Sequence, residues 1–339
     1  VPPLAAIVGL AGARLRADER TLFAELAPAG FILFARNIES PAQLRALTEE
    51  LAALFPERRV PILVDQEGGR VMRLRPPSWP DLPAAARIGR LAANDPGGAR
   101  EAARRLGEVI GRELRAAGIS VDCAPCLDVA EPGTTSAIGD RAFAGDPELV
   151  GDLGAALIDG LLASGVLPVI KHLPGHGRAR VDSHHALPLV AAGLDELERR
   201  DLVPFRRCRH APLAMTAHVV YAAIDPDHPA THSARVIAEL IRGAIGFSGI
   251  LLSDDLGMNA LSGEIGERAA RAIAAGCDLA LHCSGRLAET RTVLAAVPRL
   301  PERTLATLDS LLADAAVVGS EPLPLEPPLA RLDSLLAIA

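Results

Sequence analysis

Short apolar runs recur along the whole chain, separated by longer stretches in which apolar residues return at helical spacing. Eight runs stand out: Leu4–Leu10, Gly30–Ala35, Val60–Val64, Ile119–Ala124, Leu167–His172, Leu213–His218, Ile250–Ser253 and Asp278–His282. Within them apolarity is continuous rather than alternating, which predicts parallel strands covered on both faces. The intervening pattern predicts helices over 18–27, 41–54, 99–117, 147–164, 194–209, 233–245, 263–275 and 286–296. Ser40-Pro41 and Asp146-Pro147-Glu148 read as helix starts, and Gly118, Gly165, Gly246 and Gly276 as helix ends.

Eight strand–helix units predict an α/β fold, a single (β/α)8 barrel. An open, doubly wound parallel sheet is the rival, because strand order is not written in the pattern. Proline and glycine cluster at the junctions and form no linker, so residues 1–339 are expected to be one catalytic domain. The tail Pro322–Pro328 is expected to wrap over the barrel as an extended segment, followed by a short helix from Ala330.

Composition narrows the partners. The chain has 339 residues, 49% hydrophobic but only 3% aromatic, so a ligand is expected to be held mainly by hydrogen bonds rather than by stacking. A net charge of −7 without any Lys/Arg block argues against nucleic acid or an anionic membrane as partner. No run approaches 18 charge-free apolar residues and no signal peptide is visible, so a cytoplasmic protein is expected. Cys123, Cys126, Cys208, Cys277 and Cys283 are too few for a disulfide scaffold; they are expected to be buried thiols, Cys123-Ala-Pro-Cys126 included.

In such a barrel, ligand groups come from the carboxyl ends of the strands. Polar residues recur there: Asp65, Asp122 and Asp128, Lys171-His172, His218, and Asp254-Asp255. Their recurrence predicts one convergent polar pocket. After the fifth run comes Lys171-His-Leu-Pro-Gly-His-Gly177, continuing to Asp182-Ser-His-His185, a glycine-rich loop with groups that titrate near neutrality. On an extended backbone Asp182 and His184 share a face, so the carboxylate can hold one imidazole nitrogen while the other meets a ligand. Ser183 then points away and lacks a nucleophile elbow. The spacing of His172, His176, His184 and His185 matches no HExxH helix, so neither a metal nor another cofactor is expected. Asp254 suits an anionic nucleophile kept ionised by Lys171 and Arg141, with Asp255 turned aside to cap amides. An acid and an anionic nucleophile in one pocket are what retaining glycosyl transfer requires.

Four separated motifs, Val64-Asp-Gln-Glu-Gly-Gly-Arg-Val71, Ile138-Gly-Asp-Arg-Ala-Phe143, Lys171–Gly177 with Asp182-Ser-His184, and Leu252-Ser-Asp-Asp-Leu-Gly-Met258, occur in this order. Together they resemble the family 3 glycoside hydrolases, specifically the bacterial β-N-acetylhexosaminidases that recycle peptidoglycan. The resemblance covers nearly the whole chain. It implies that Asp254 forms a covalent glycosyl-enzyme, and that His184, paired with Asp182, replaces the usual glutamic acid as acid/base. It implies further that Asp65, Arg73, Arg141, Lys171 and His172 grip the sugar hydroxyls and place the acetamido group. The expected substrate is a small cell-wall-derived amino sugar or muropeptide, N-acetylglucosamine linked to anhydro-N-acetylmuramic acid with or without peptide, in the cytoplasm. Many relatives carry a second α/β domain that this chain is too short to include, so a one-domain monomer is expected.

Departures from the family pattern are Leu173 in place of an aromatic, Cys123-Ala-Pro-Cys126, and Leu281-His-Cys-Ser284, where His282 is expected to be a loop histidine without a catalytic role. Competing readings keep the barrel and change the chemistry: a phosphorylase using phosphate as acceptor, a non-catalytic sugar-binding protein, or an aldolase with Lys171 as a Schiff base.

Overall fold

The computed structural model describes residues 1–318 and 324–337. Eight strands form its centre: β1 (Leu4–Gly9), β2 (Pro28–Leu33), β3 (Ile62–Val64), β4 (Val121–Asp122), β5 (Leu167–Leu173), β6 (Leu213–Thr216), β7 (Ile250–Asp255) and β8 (Leu279–His282). Each pairs in parallel with its chain neighbours, and β8 pairs back onto β1 with Ile7 opposite Leu281. That last pairing closes the barrel and removes the open-sheet alternative. Three short strands, Leu189–Val190, Val220–Tyr221 and Asp225–Pro229, make a small separate sheet.

Local chemistry starts and stops the surrounding helices. Ser40 accepts from the Gln43 N–H and Asp146 from the Glu148 N–H, each just before a proline in the first turn, at α2 (Pro41–Ala53) and α5 (Pro147–Ala163). Asp95 does the same for α4 (Pro96–Ala116), which therefore begins three residues before the predicted start. Gly276 ends the helix Ile265–Ala275 with φ of 117°, a conformation a side chain would oppose.

Several elements differ from the sequence expectation. The stretch 194–209 is two helices, Leu194–Arg199 and Val203–Arg207, because Pro204 cannot sit in a helix interior and is tolerated only in a first turn. Val236–Ala244 winds as a wider π-helix. The pattern reading also passed over the helices Ala85–Leu91 and Glu302–Val318. In the tail, Pro322 lies outside the described residues, while the final helix starts at Glu326 rather than Ala330, with Pro327 and Pro328 at its N-terminus. Leu332, Leu335 and Leu336 are buried there, and Arg331 pairs with Glu101 of α4 at 2.6 Å.

Two hydrophobic layers result. One lies between strands and helices. The other fills the barrel itself: Ala5, Ile7, Leu63, Val121, Cys123, Leu167, Val169, Leu213, Met215, Ile250, Leu252, Leu279 and Leu281. Leu308, Leu312 and Ala315 of the Glu302–Val318 helix join this inner layer, so that helix seals the amino-terminal mouth. The carboxyl-terminal mouth stays open to the pocket. Among the described residues no helix is long and apolar enough to cross a membrane.

Candidate active site

The inner layer continues upward into the pocket by the two-residue period of a strand. Leu63 is followed on the same face by Asp65, Val169 by Lys171, Leu213 by Met215, Leu252 by Asp254, and Leu281 by Cys283. All five upper residues line a pocket of about 230 Å³ at the carboxyl ends of the strands. Arg73, Arg141, His172, Asp182 and His184 line it too, so every residue given a catalytic or sugar-binding role from sequence faces one cavity, whereas three of the strand-end residues expected to converge there do not. Lys171 and His172 are consecutive yet both reach it, because the β5–β6 register shifts between Ile170 and Leu173.

The same alternation sorts out the remaining strand-end polar residues. Asp122, Asp128 and His218 are fully buried behind the lining. Asp122 accepts from the Gln66 N–H at 3.0 Å, and burial pushes its carboxyl well above the ordinary range. His218 bridges the Thr231 hydroxyl and the Asp255 carbonyl at 2.7 and 2.9 Å. His282 lies in β8 rather than a loop; it is buried, and its Nε2 meets Ser284 Oγ at 2.9 Å. These four are supports.

An alternating chain of charges crosses the pocket floor. Arg73 Nη2 lies 3.1 Å from Asp65, Lys171 Nζ lies 2.9 Å from Asp65 and 2.7 Å from Glu67, and Arg141 grips both oxygens of Glu67 at 2.8 and 2.9 Å. Three cations against two carboxylates leave one positive charge in the network, and Lys171 lowers the pKa of the nearby Asp254. Burial opposes ionisation of Glu67, but Arg141 and Lys171 outweigh it and hold the carboxyl far below its usual range. Burial likewise disfavours charged Lys171, and Asp65 and Glu67 reverse that, keeping the ammonium protonated. A Schiff-base lysine must shed its proton, so this environment opposes the aldolase reading.

Glu67 is the residue that sequence reasoning missed. Its signal was present, since Asp65 and Glu67 are two apart at a strand end. Removing one member of a buried ion network strands its partners, at a cost of about 3–5 kcal/mol. Glu67→Ala is therefore expected to lower the urea midpoint clearly and to raise KM, through release of both Lys171 and Arg141. An unchanged midpoint in urea denaturation would show that the network contributes nothing to folding.

Asp254 sits at the end of β7. Its enclosure raises its pKa, but the imidazoles of His218 and His172, the Asp255 N–H at 2.7 Å and Lys171 together draw it below the ordinary range. Lys171 acts on Asp254 in the direction expected from sequence, with the two histidines ahead of it, whereas Arg141 is engaged with Glu67 instead. Asp255 is occupied otherwise: its Oδ1 accepts from the N–H groups of Gly257 and Cys283 at 2.9 and 3.1 Å.

Asp182 and His184 meet through a turn, not along an extended backbone. Asp182 Oδ1 accepts from both the His184 N–H and its ring Nδ1, each at 2.8 Å, while the Asp182 carbonyl accepts from His185 N at 2.9 Å. Aspartate makes such turns readily because its side chain mimics a backbone carbonyl. The imidazole is oriented all the same, and its side chain is 63% exposed at the pocket rim. Gly177, earlier in the loop, passes so close to β4's extension that a Cβ there would fall 1.9 Å from the Val129 carbonyl oxygen.

The histidines do not assemble as a metal set. Among the described residues, the one group of metal-ligating types with donor atoms within 4.8 Å of one another is Cys126, Asp128 and His172. Those atoms already satisfy each other: Asp128 Oδ2 accepts from His172 Nδ1 at 2.7 Å and from Cys126 Sγ at 3.2 Å, and Oδ1 accepts from His176 N at 2.6 Å. All five cysteines are buried free thiols. A larger depression of about 930 Å³ at the opposite mouth is bounded by Arg45, Arg58, Asp309 and Leu312, away from the strand ends where barrel chemistry is built.

With this geometry in view, comparison with known proteins is direct. The family model described as the glycosyl hydrolase family 3 N-terminal domain matches residues 5–310. A β-hexosaminidase of Alkalilimnicola ehrlichii is 45% identical over 284 residues, covering 82% of this chain and 80% of the relative. The crystal structure of NagZ from Neisseria gonorrhoeae in complex with N-trifluoroacetyl-D-glucosamine superposes with a TM-score of 0.87 at 34% identity, covering 100% of this chain and 99% of that one. A family 3 β-N-acetylglucosaminidase from Paenibacillus sp. gives 0.84 at 34% identity, covering 98% of this chain and 66% of that longer one. A barrel matched from its first strand past its eighth, with polar strand ends converging on one sugar-sized pocket, belongs to glycosyl hydrolase family 3.

Proposed function

We propose that this chain is a retaining β-N-acetylhexosaminidase that removes terminal N-acetylglucosamine from small peptidoglycan fragments in the cytoplasm, the barrel with its closing helices acting as one catalytic unit. The observation that carries the reading is that Asp254 and the Asp182-held imidazole of His184 line the same pocket. In this mechanism Asp254 attacks the anomeric carbon, His184 protonates the departing oxygen, and the same imidazole then takes a proton from water as the glycosyl ester is hydrolysed. Asp182 keeps the Nδ1 face of His184 engaged so that Nε2 meets the substrate. Asp65, Arg73, Lys171, Arg141 and His172 supply donors and acceptors to the sugar hydroxyls and the acetamido group. Support comes from the crystallised Neisseria relative, which holds an N-acylated glucosamine, and from the scarcity of stacking residues in a pocket with room for a single sugar ring.

The test is a product time course by proton NMR with a β-N-acetylglucosaminide, with and without millimolar phosphate. The β-anomer of free N-acetylglucosamine is expected first, followed by mutarotation. Initial α-anomer would exclude the covalent route through Asp254, and predominant sugar 1-phosphate would reassign the enzyme as a phosphorylase.

A further inference from the structure

The segment that presents His184 is fastened at three points outside the sugar-binding groups. Ser183 turns inward and is buried, while the adjacent His184 faces out. Its Oγ lies 3.2 Å from His176 Nε2, and its carbonyl accepts from the Ala260 N–H at 3.2 Å. One residue on, the His184 carbonyl accepts from Asn259 Nδ2 at 3.0 Å. Asn259 and Ala260 lie in the turn leaving β7, itself pinned by the Met258 N–H on the Asp255 carbonyl at 3.1 Å. The other anchor is equally fixed: the His176 N–H donates to Asp128, and its ring stands edge-on to His172 at 5.7 Å. Burial drives the His176 ring down to about 4, so it stays neutral toward Ser183 at working pH.

Beyond these ties the stretch is held at its far end, where the Pro188 carbonyl accepts from the Val220 N–H at 2.9 Å. Val181, His184, His185 and Leu187 are exposed, so the loop has few buried contacts to define its position. A displacement on the order of 1 Å in a catalytic group is enough to cost about a hundredfold in rate.

We propose that Asn259 and Ser183 are positioning residues for the acid/base, tying the peptide of His184 to the loop that leaves the nucleophile's own strand. The two halves of the chemistry are thereby held in register by hydrogen bonds that no substrate group needs to make. This inference rests on the reading of His184 as acid/base, and the experiment separates the two.

In the full-length protein, kcat and KM are measured for Asn259→Ala, Asn259→Asp, Ser183→Ala, His184→Ala and the double variant Asn259→Ala/His184→Ala. Three β-N-acetylglucosaminides are used, with dinitrophenyl, nitrophenyl and sugar leaving groups. Asn259→Ala and Ser183→Ala are expected to lower kcat/KM, which reads the step that expels the leaving group, about tenfold with the sugar leaving group and by no more than about twofold with dinitrophenyl. Asn259→Asp keeps the shape but loses the donor, and is expected to be as slow as the alanine variant. In the His184→Ala background the Asn259 substitution should add nothing, because its effect runs through that imidazole. Equal loss across the leaving groups, or additivity with His184→Ala, would overturn the positioning role. A His184→Ala variant without leaving-group dependence would instead overturn the acid/base reading. Leaving-group dependence in His184→Ala but not in Asn259→Ala would sink the positioning proposal alone.

Discussion

Replacing Asp254 with alanine is expected to lower turnover by about three orders of magnitude or more, the scale set by losing a covalent nucleophile and its charge. The barrel should remain folded, since among the described residues the Asp254 side chain takes one hydrogen bond, from the neighbouring Asp255 N–H. Its carboxylate is thus open to a substrate, whereas Asp255 accepts from two backbone amides and is committed to shaping the strand end. A 5-fluoro glycosyl analogue that traps the ester, followed by peptide mapping, should mark Asp254. A label on Asp255 would reverse the assignment and would require the Gly257 and Cys283 contacts to be given up. Circular dichroism of the alanine variant separates lost chemistry from lost structure.

The second large effect concerns the proton. His184→Ala is expected to lower kcat/KM for glycosides with poor leaving groups by about 10²–10⁴-fold, while activated aryl glycosides lose far less in kcat/KM, because a stable phenolate departs without protonation. Asp182→Ala should give a weaker version of the same split. Asp182 holds the imidazole through Nδ1 at 2.8 Å and also braces the turn through the His184 N–H, so its removal affects orientation rather than the proton itself. Burial raises the Asp182 carboxyl, but the amide and ring of His184 together outweigh it and pull it below the ordinary range, so it remains charged near neutral pH. Steady-state rates across a leaving-group series read both variants. A uniform loss in His184→Ala would leave that residue with a binding role only.

How much of this was legible in the sequence follows from strand parity. The eight strands were visible because barrel strands are covered on both faces and so read as unbroken apolar runs. Strand-end position alone, however, did not separate lining from support. Val121 and Cys123 face the barrel interior, so Asp122 between them must face away; Leu281 and Cys283 do the same to His282. Counting by twos from Leu63 would have reached Asp65 and then Glu67, and so the ion network. Other features had no such rule. The register shift that lets both Lys171 and His172 face the pocket depends on pairing with β6, and the turn at Asp182 competes locally with an extended path of equal plausibility. The helix Glu302–Val318 was passed over because it follows no strand, although Leu308 and Leu312 carry the spacing of a buried face.

That helix, and the pairing of the first strand with the last, set a schedule for biosynthesis. Ile7 pairs with Gly30 early but finds its partner on the other edge only when Leu281 has been made, and the inner layer is not covered until Leu308 and Leu312 follow. At roughly 5–20 residues per second, the interval between synthesis of the first strand and of the last is on the order of tens of seconds on the ribosome. Throughout it the nascent sheet has two unpaired edges and an uncovered apolar face, the features that invite association with other chains. The emerging polypeptide therefore carries its most association-prone surface before it has an active site, and closing the barrel removes that surface.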